Sequence, residues 1–309
     1  MVVICGPTGT GKTSIGIELA KEFGGEIISA DSGAVYKDLD IGTAKPSKEE
    51  RAHVPHHLID IIEPNESFDA ARFVALADNA ISDIVARGKL PIVVGGTGLY
   101  IKALIQGLAD APPRDDEYRK ELEAIRREKG TPYLYKLLTE KDPKTALKLK
   151  ANDSTRVIRA LEVFHSTGRS ISEIHKEHKF KERRHDALKI GITLPREELY
   201  KKVEERVDGM IKAGLEDEVR GLVERFGSDA QALKAVGYKE MVRKLAPSEV
   251  EGCVSVEVRK EEDVAELIKR NTRHYAKRQL TWFRADKEIK WFEYSRLKEI
   301  KKVLADFLG

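Results

Sequence analysis

Near the start of the chain, Gly6-Pro7-Thr8-Gly9-Thr10-Gly11-Lys12-Thr13 constrains the fold more than any other stretch. It fits the pattern G-x-x-x-x-G-K-[ST], in which glycines let consecutive backbone N–H groups turn inward around an anion. The pattern needs a strand before it and a helix after it, and both flanks are present. Val2 to Cys5 is a short apolar run that stops at Gly6. From Ser14 to Phe23, the residues Ile15, Leu19 and Phe23 stand four apart as one apolar stripe, closed by Gly24-Gly25. That helix offers its positive end to an anion, Lys12 adds a full charge, and the Thr13 hydroxyl is a ligand for Mg²⁺. The loop predicts phosphate binding and leaves open which phosphate.

Further along, strand-like and helix-like stretches alternate. Glu26 to Ala30 reads as a second strand, Leu58 to Ile62 as a third, Phe68 to Arg87 as a helix, and Leu90 to Val94 as the strongest strand. Strands separated by helices imply βαβ units and a parallel sheet. At Ala111-Pro112-Pro113 the pattern changes: from Asp115 to about Ile174 only helical spacing is seen. One of these helices opens on the cap signal Asn152-Asp153-Ser154 and buries Val157, Leu161 and Phe164. Leu188 to Leu194 reads as a returning strand, and Arg196 to Gly309 as mostly helical. The expected organisation is a core of residues 1–113 and 188–309 interrupted by a helical insertion, 114–187. Between Pro247 and Asp263, Val254, Val256 and Val258 alternate as in a strand.

Apolar residues make up 41% of the 309 positions and charged residues 35%, which predicts a packed core under a densely ionic surface. The net charge of +3 does not by itself mark a nucleic-acid binder, but Arg270 to Arg284 holds five Lys or Arg and no acid. In that stretch Arg270, Arg273, Lys277 and Arg278 recur at helical spacing, with Tyr275, Trp282 and Phe283 between them. Cys5 and Cys253 form no paired motif, which argues against disulfides and structural zinc. Neither a signal peptide nor a membrane span is evident, so a cytoplasmic protein without membrane attachment is expected.

Two further positions carry chemistry. Asp31 follows the second strand, at the carboxyl edge where open parallel sheets bind ligands. It could cap the next segment, hold Mg²⁺, or act as a general base; position alone does not choose. The strand Leu90–Val94 runs into Gly95-Gly96-Thr97, where glycines admit a ligand to the backbone and Thr97 supplies a hydroxyl. His56-His57 reads as structural, and His175 and His178, three apart without further ligands, as surface residues.

Taken in order, the motifs resemble the tRNA dimethylallyltransferase family, bacterial type. The matching stretches are GPTGTGKT at 6–13, ADSGAVYKDLDIGTAKP at 30–46, PHHLIDI at 55–61 and VGGTGLYIKAL at 94–104. They continue with NDSTRVIRALEV at 152–163, AVGYKE at 235–240 and YAKRQLTWFR at 275–284, covering nearly the whole chain. The fold this implies is α/β: a P-loop NTPase-like parallel sheet flanked by helices, with an all-helical insertion domain. The activity implied is transfer of the dimethylallyl group of dimethylallyl diphosphate to N6 of the adenine 3′-adjacent to the anticodon, with diphosphate released. Gly6 to Thr13 would hold the diphosphate, with Mg²⁺ on Thr13; Asp31 would accept the N6 proton, Thr97 would contact the target nucleotide, and Arg206 would lie on the diphosphate.

The resemblance also assigns contacts to the tRNA anticodon stem-loop. They are Asp31, Ser32, Gly33, Ala34 and Thr97; Arg119, Thr155, Arg156 and Arg159 in the insertion; Gly237, Tyr238 and Lys239; and Lys277, Arg278, Gln279, Trp282 and Arg284. The target base must leave the anticodon-loop stack to be reached. Ala34 and Thr155 stand where the family usually has glutamine, and the stretch 247–263 is longer than the family norm. Without the resemblance, Arg206 reads as a solvated residue of a charge-rich helix. The rival readings are an adenylate isopentenyltransferase of the cytokinin type acting on free AMP, ADP or ATP; a small-molecule kinase or NTPase; and an RNA-binding protein with a vestigial loop. No apolar dimer stripe is evident, so a monomer without an obligate protein partner is expected.

Overall fold

The computed structural model describes residues 1–178, 182–245 and 263–309. In chain order the elements begin β1 (Val2–Cys5), α1 (Lys12–Phe23), β2 (Gly25–Ser29), α2 (Lys48–His53), β3 (His56–His57), α3 (Ala70–Ala86), β4 (Leu90–Gly95) and α4 (Gly98–Gln106). There follow α5 (Asp116–Lys129), α6 (Thr131–Lys141), α7 (Pro143–Ala146), α8 (Ser154–Thr167) and α9 (Ile171–His178). The chain closes with β5 (Leu188–Thr193), α10 (Arg196–Lys212), α11 (Leu215–Phe226), α12 (Tyr238–Leu245), α13 (Val264–Arg284), β6 (Lys290–Glu293) and α14 (Leu297–Leu308).

The strands form one six-stranded sheet in the order β3-β2-β4-β1-β5-β6, every pair parallel. A parallel sheet needs both faces covered, and the inner strands are accordingly apolar at successive positions. Val2 and Ile4 pack with Ile15 and Leu19 of α1 and with Ile300 and Leu304 of α14. On the opposite face Val3 and Cys5 meet Phe73 and Ile81 of α3, Leu104 of α4 and Phe283 of α13. A third cluster lies beside the segment after β2, where Val35, Tyr36 and Leu39 pack against Val207, Leu222, Tyr238 and Met241 of α10, α11 and α12.

Two strand expectations are corrected. Leu58–Ile62 is not a strand: the third strand is the shorter His56–His57, paired with Ile27 and Ile28. Leu58 and Asp60 sit at φ 62° and 57°, a left-handed conformation that no strand sustains. The Asp60 carboxylate accepts from Lys45 and Arg51 there, so an apolar run is bent by its one acid. Conversely, β6 was hidden in a stretch read as helical, since Lys290 and Glu293 flank only two half-buried aromatics at the sheet's edge. The alternation at Val254, Val256 and Val258 lies outside the described residues.

The chain divides into two compact units, one built from Met1–Ile105 with the described residues from Arg184 onward, the other from Gln106–Arg183. The second unit thus starts before Pro112-Pro113, for a visible reason. Arg159 donates to the Pro112 carbonyl at 2.7 Å, and the Asp115 N–H donates to Glu162 at 2.7 Å, tying that segment to α8. Its core is Leu122, Leu134, Leu138, Val157 and Leu161. At the other boundary, Arg184 N donates to Ile105 O at 3.0 Å, and Arg184 and His185 both contact Asp78 of α3.

Candidate active site

Three turns meet at the carboxyl edge of the sheet: β1 to α1, β2 to α2, and β4 to α4. Parallel sheets place ligands there because strand ends and helix starts leave N–H groups unpaired. The first turn is the glycine-rich loop. Gly6 has φ 140°, and a Cβ there would run into the Ile192 carbonyl of neighbouring β5, so only glycine fits. The loop ends at Gly11, the N-cap of α1, which offers no side chain to the first-turn N–H groups. Those groups and the helix dipole are therefore available to an anion.

Thr8, Lys12 and Thr13 from this loop line a cavity of about 410 Å³, a size suited to a small ligand. From the second turn come Asp31, Ser32, Gly33 and Ala34, and from the third Gly95 and Gly96. The opposite wall is built by Arg206, Val207 and Met210 of α10, by Gly237 and Tyr238, and by Thr272, Tyr275, Arg278 and Gln279 of α13.

Among the charged groups on the lining, Lys12 and Arg206 act on one another and on Asp31. Burial pushes the Lys12 ammonium down to about 8, against the attraction of Asp31 and with the help of Arg206. Burial likewise lowers Arg206 while Asp31 acts to raise it. Lys12 Nζ donates to the Pro7 carbonyl at 2.6 Å, and Arg206 Nη2 to the Thr43 carbonyl at 2.9 Å. Arg206 is thus turned into the cavity and is no solvated helix residue. Two cations beside one carboxylate suit an anion that must leave next to a group that takes a proton.

Asp31 does cap a turn, since its Oδ1 accepts from Gly33 N at 2.8 Å and Ala34 N at 3.4 Å. The cap and a chemical role are compatible, because the second carboxylate oxygen is not engaged by these bonds. Ala34 is buried, and its carbonyl accepts from Asp60 N, so this position serves the loop's interior. Thr97 Oγ1 accepts from Ser32 N at 3.0 Å and fastens the second turn to the third.

Several positions expected to touch RNA make hydrogen bonds or ion pairs within the protein. Gln279 is buried: its Oε1 accepts from Thr8 N and its Nε2 donates to Gly96 O, both at 2.9 Å. Tyr238 is fully buried, and its hydroxyl donates to Glu218 at 2.6 Å. In the helical unit, Arg119 clasps the fully buried Glu162 through two bonds of 2.7 and 3.0 Å, and Arg159 reaches the same carboxylate at 2.5 Å. Arg273 pairs with Glu204 at 2.5 Å. Thr155 and Arg156 are exposed at the start of α8, and Lys277, Arg278, Trp282 and Arg284 along α13. Trp282 lies against Gly98, and Lys239 is half-buried beside Glu240.

The structure adds residues that sequence reasoning passed over. Val207 and Met210 line the cavity beside Tyr275, an aromatic already noted among the basic residues of its stretch, whose phenol burial raises. Lys45, also on the lining, is almost fully buried and donates to Tyr36 O, Asp40 and Asp60. Lys45 lies in the motif DIGTAKP, and a lysine amid turn residues was the available signal. The Thr13 hydroxyl, at the start of α1, is the oxygen expected to serve a divalent cation, and further hydroxyls and the Asp31 carboxylate share the lining. Among the described residues no group of three or more His, Cys, Asp or Glu could hold a metal. That donor set fits Mg²⁺ carried mainly by phosphate oxygens and water, with one or two protein oxygens.

Comparison with known proteins agrees with this architecture. The IPP transferase family model matches residues 34–286, and the isopentenyl transferase model residues 1–62. A tRNA dimethylallyltransferase of Geobacter sulfurreducens is 46% identical over 100% of this chain and 97% of its own length. A crystal structure of the tRNA isopentenylpyrophosphate transferase of Bacillus halodurans superposes with a TM-score of 0.69 at 42% identity, over 99% of this chain and 95% of that one. A eukaryotic dimethylallyltransferase acting on tRNA gives a TM-score of 0.76 at 32% identity, over 96% of this chain and 74% of that one. Among the described residues no helix is long and apolar enough to cross a membrane. With matches that run from the phosphate loop through α13, the chain belongs to the IPP transferase family.

Proposed function

We propose that this chain is a tRNA dimethylallyltransferase, moving the dimethylallyl group of dimethylallyl diphosphate to N6 of the adenine 3′-adjacent to the anticodon. The observation that carries the reading is the pairing, in one cavity, of Lys12 and Arg206 with Asp31, the one acid among the described residues lining it. In the reaction N6 bonds to C1 of the dimethylallyl group, the C1–O bond breaks, and its electron pair leaves with diphosphate. The N6 proton passes to the Asp31 carboxylate. A neutral exocyclic amine is a poor nucleophile, so a carboxylate placed to take its proton lowers the barrier. The first-turn N–H groups of α1, Lys12 and Arg206 hold the departing diphosphate in a water-poor site, where their charges act strongly. Mg²⁺ bound through Thr13 would supply further charge stabilisation to the diphosphate.

The acceptor follows from the relatives, which are named for tRNA, and from the parts a free nucleotide does not require: the helical unit 106–183 and the exposed Lys277, Arg278, Trp282 and Arg284. In this reading the enzyme acts as a monomer in the cytoplasm. The test is incubation with radiolabelled dimethylallyl diphosphate and Mg²⁺, with unmodified tRNA or AMP as separate acceptors. Label in tRNA supports the reading. Label in AMP alone moves the chain to the cytokinin-type transferases, and label in neither overturns both.

A further inference from the structure

The segment from Asp38 to Ala44 lines the cavity through Gly42, Thr43 and Ala44, and it closes on itself through Ala44 N to Ile41 O at 3.1 Å and the Thr43 hydroxyl to Leu39 O. Asp38 and Ala44 sit at φ 62° and 48°, which costs energy in residues other than glycine. The N–H groups of residues 40 to 42 are held from α11. Glu218 Oε2 accepts from Asp40 N at 3.0 Å and Ile41 N at 2.8 Å, and Oε1 accepts from Gly42 N at 3.3 Å. The Tyr238 hydroxyl donates to Glu218 Oε1 at 2.6 Å and accepts from Gly42 N at 3.1 Å. A Cβ at Gly42 would run into the Tyr238 ring, so the backbone is pressed against the pair. The next residue is Thr43, whose carbonyl receives Arg206. A Cβ on Gly33, the residue held by Asp31 Oδ1, would meet the Thr43 methyl at 2.8 Å. Thr43 therefore stands between the turn that carries Asp31 and the guanidinium of Arg206.

We infer that Glu218, with Tyr238, is a positioning residue for the transfer, setting the 40–43 backbone and through it Arg206 and the Asp31 turn. Glu218 does not line the cavity and touches no reacting atom. Its carboxylate is suited to the task because it accepts only, and charge-assisted bonds to backbone N–H groups are short and strong. The inference rests on the reading that Arg206 and Lys12 hold a diphosphate. Small displacements of such groups are costly, since about 1 Å of misplacement can lower a rate roughly 100-fold.

The test uses the full chain with Mg²⁺ and compares Glu218→Ala, Tyr238→Phe, Arg206→Ala and the Glu218→Ala/Arg206→Ala double variant. Four quantities are read: affinity for inorganic pyrophosphate, kcat/KM for dimethylallyl diphosphate, affinity for tRNA, and thermal unfolding. Glu218→Ala should weaken pyrophosphate binding and lower kcat/KM about 10- to 100-fold, with tRNA affinity within about twofold of the parent. Tyr238→Phe, which keeps the packing, should show the same pattern at about 3- to 10-fold. In the Arg206→Ala background, Glu218→Ala should weaken pyrophosphate by less than about threefold, because the two act through one contact. Equal losses in both backgrounds overturn the inference, as does a loss of tRNA affinity in step with a fall in melting temperature. If the parent transfers nothing to tRNA while the pyrophosphate cycle is non-additive, the reading of the reaction fails and the clamp stands.

Discussion

Gln279 accepts a hydrogen bond from the Thr8 N–H and donates one to the Gly96 carbonyl, so one buried amide on α13 joins the phosphate loop to the turn after β4. Both bonds use the amide's asymmetry: an acceptor faces an N–H and a donor faces a C=O. Gln279→Glu keeps the size but turns a second acceptor toward Gly96 O, whereas Gln279→Leu leaves both backbone groups unpaired. Each unpaired buried group costs about 1–3 kcal/mol. Both variants should raise KM for dimethylallyl diphosphate and lower kcat by roughly tenfold. Steady-state kinetics decide it; unchanged values would mean the two turns hold their places without the brace.

The charge on Lys12 gives a pH signature. Burial lowers its pKa to about 8, so above that pH the free enzyme loses the ammonium. A bound diphosphate favours the charged form, and binding above pH 8 should therefore take up a proton. Affinity for pyrophosphate should fall as pH rises from 7.5 to 9.5, and Lys12→Arg should flatten that slope, since arginine stays charged. The effect on folding has the opposite sense: a lysine with a depressed folded pKa opposes folding while charged, so this group's contribution to stability rises with pH between about 8 and 10.5. Calorimetry in two buffers of different ionisation enthalpy measures the proton uptake, and zero uptake at pH 9 would exclude Lys12 as its source.

One substitution separates the cap formed by Asp31 from its proposed role as the base. Asp31→Asn keeps an oxygen for Gly33 N and Ala34 N, so the turn survives, but an amide does not take the N6 proton. Single-turnover transfer to tRNA should drop about 10²- to 10⁴-fold with dimethylallyl diphosphate affinity nearly unchanged. A variant that transfers at the parental rate would remove Asp31 from the chemistry and leave it the cap alone.

Much of this site was legible in the sequence, and the reason is local. Thr8, Lys12, Thr13 and Asp31 reach the cavity through backbone geometry set within a few residues, at strand ends that apolar runs already mark, while Thr97 stands off the lining and holds Ser32 N. Arg206 was not legible on spacing: its neighbours Glu204, Glu205 and Asp208 make α10 look solvated, and only the fold turns that one guanidinium to Thr43. The internal contacts of Gln279, Tyr238, Arg119 and Arg159 were equally hidden, because a motif states that a residue belongs but not which atom it contacts. The strand β3 was misplaced for a related reason. Leu58 and Ile62 are buried as an apolar run should be, but Lys45 and Arg51 fold the chain around Asp60 between them.

In the helical unit, exposure separates two classes of arginine. The Arg156 side chain is 70% exposed, while Arg119 and Arg159 converge on Glu162, which has no exposed surface. Arg156→Ala should weaken tRNA binding and reduce the slope of log affinity against log salt by about 1, with melting unchanged. Arg119→Ala should instead destabilise the unit by about 1.5–3 kcal/mol, because a charge-assisted bond to a buried carboxylate is lost. Filter binding at several salt concentrations and thermal melts separate the two; an unaltered salt slope for Arg156→Ala would exclude that phosphate contact.

Acid should act on this fold through Glu26. Its buried carboxylate on β2 takes hydrogen bonds from Arg87, at the end of α3, and from His57 on β3 at 2.7 Å. The Arg87 bonds, with a smaller contribution from His57, hold its pKa at about 2 against burial, which acts to raise it from the ordinary 4.5. A carboxyl depressed on folding contributes its full stability above the unfolded pKa and loses it as pH falls toward the folded one. The loss therefore belongs between about pH 4.5 and 2, where β2, β3 and α3 come uncoupled. Glu26→Gln keeps the shape but not the charge, and Arg87, partly exposed, can turn to water. The variant should lose about 1–3 kcal/mol at pH 7 and show a flatter decline below pH 4.5. Glu26 does not line the cavity, so transfer by the folded variant at pH 7 should stay within about twofold of the parent. Denaturant titrations at pH 7, 4 and 2.5 check this, and parallel declines for parent and variant would place the acid sensitivity on other carboxylates.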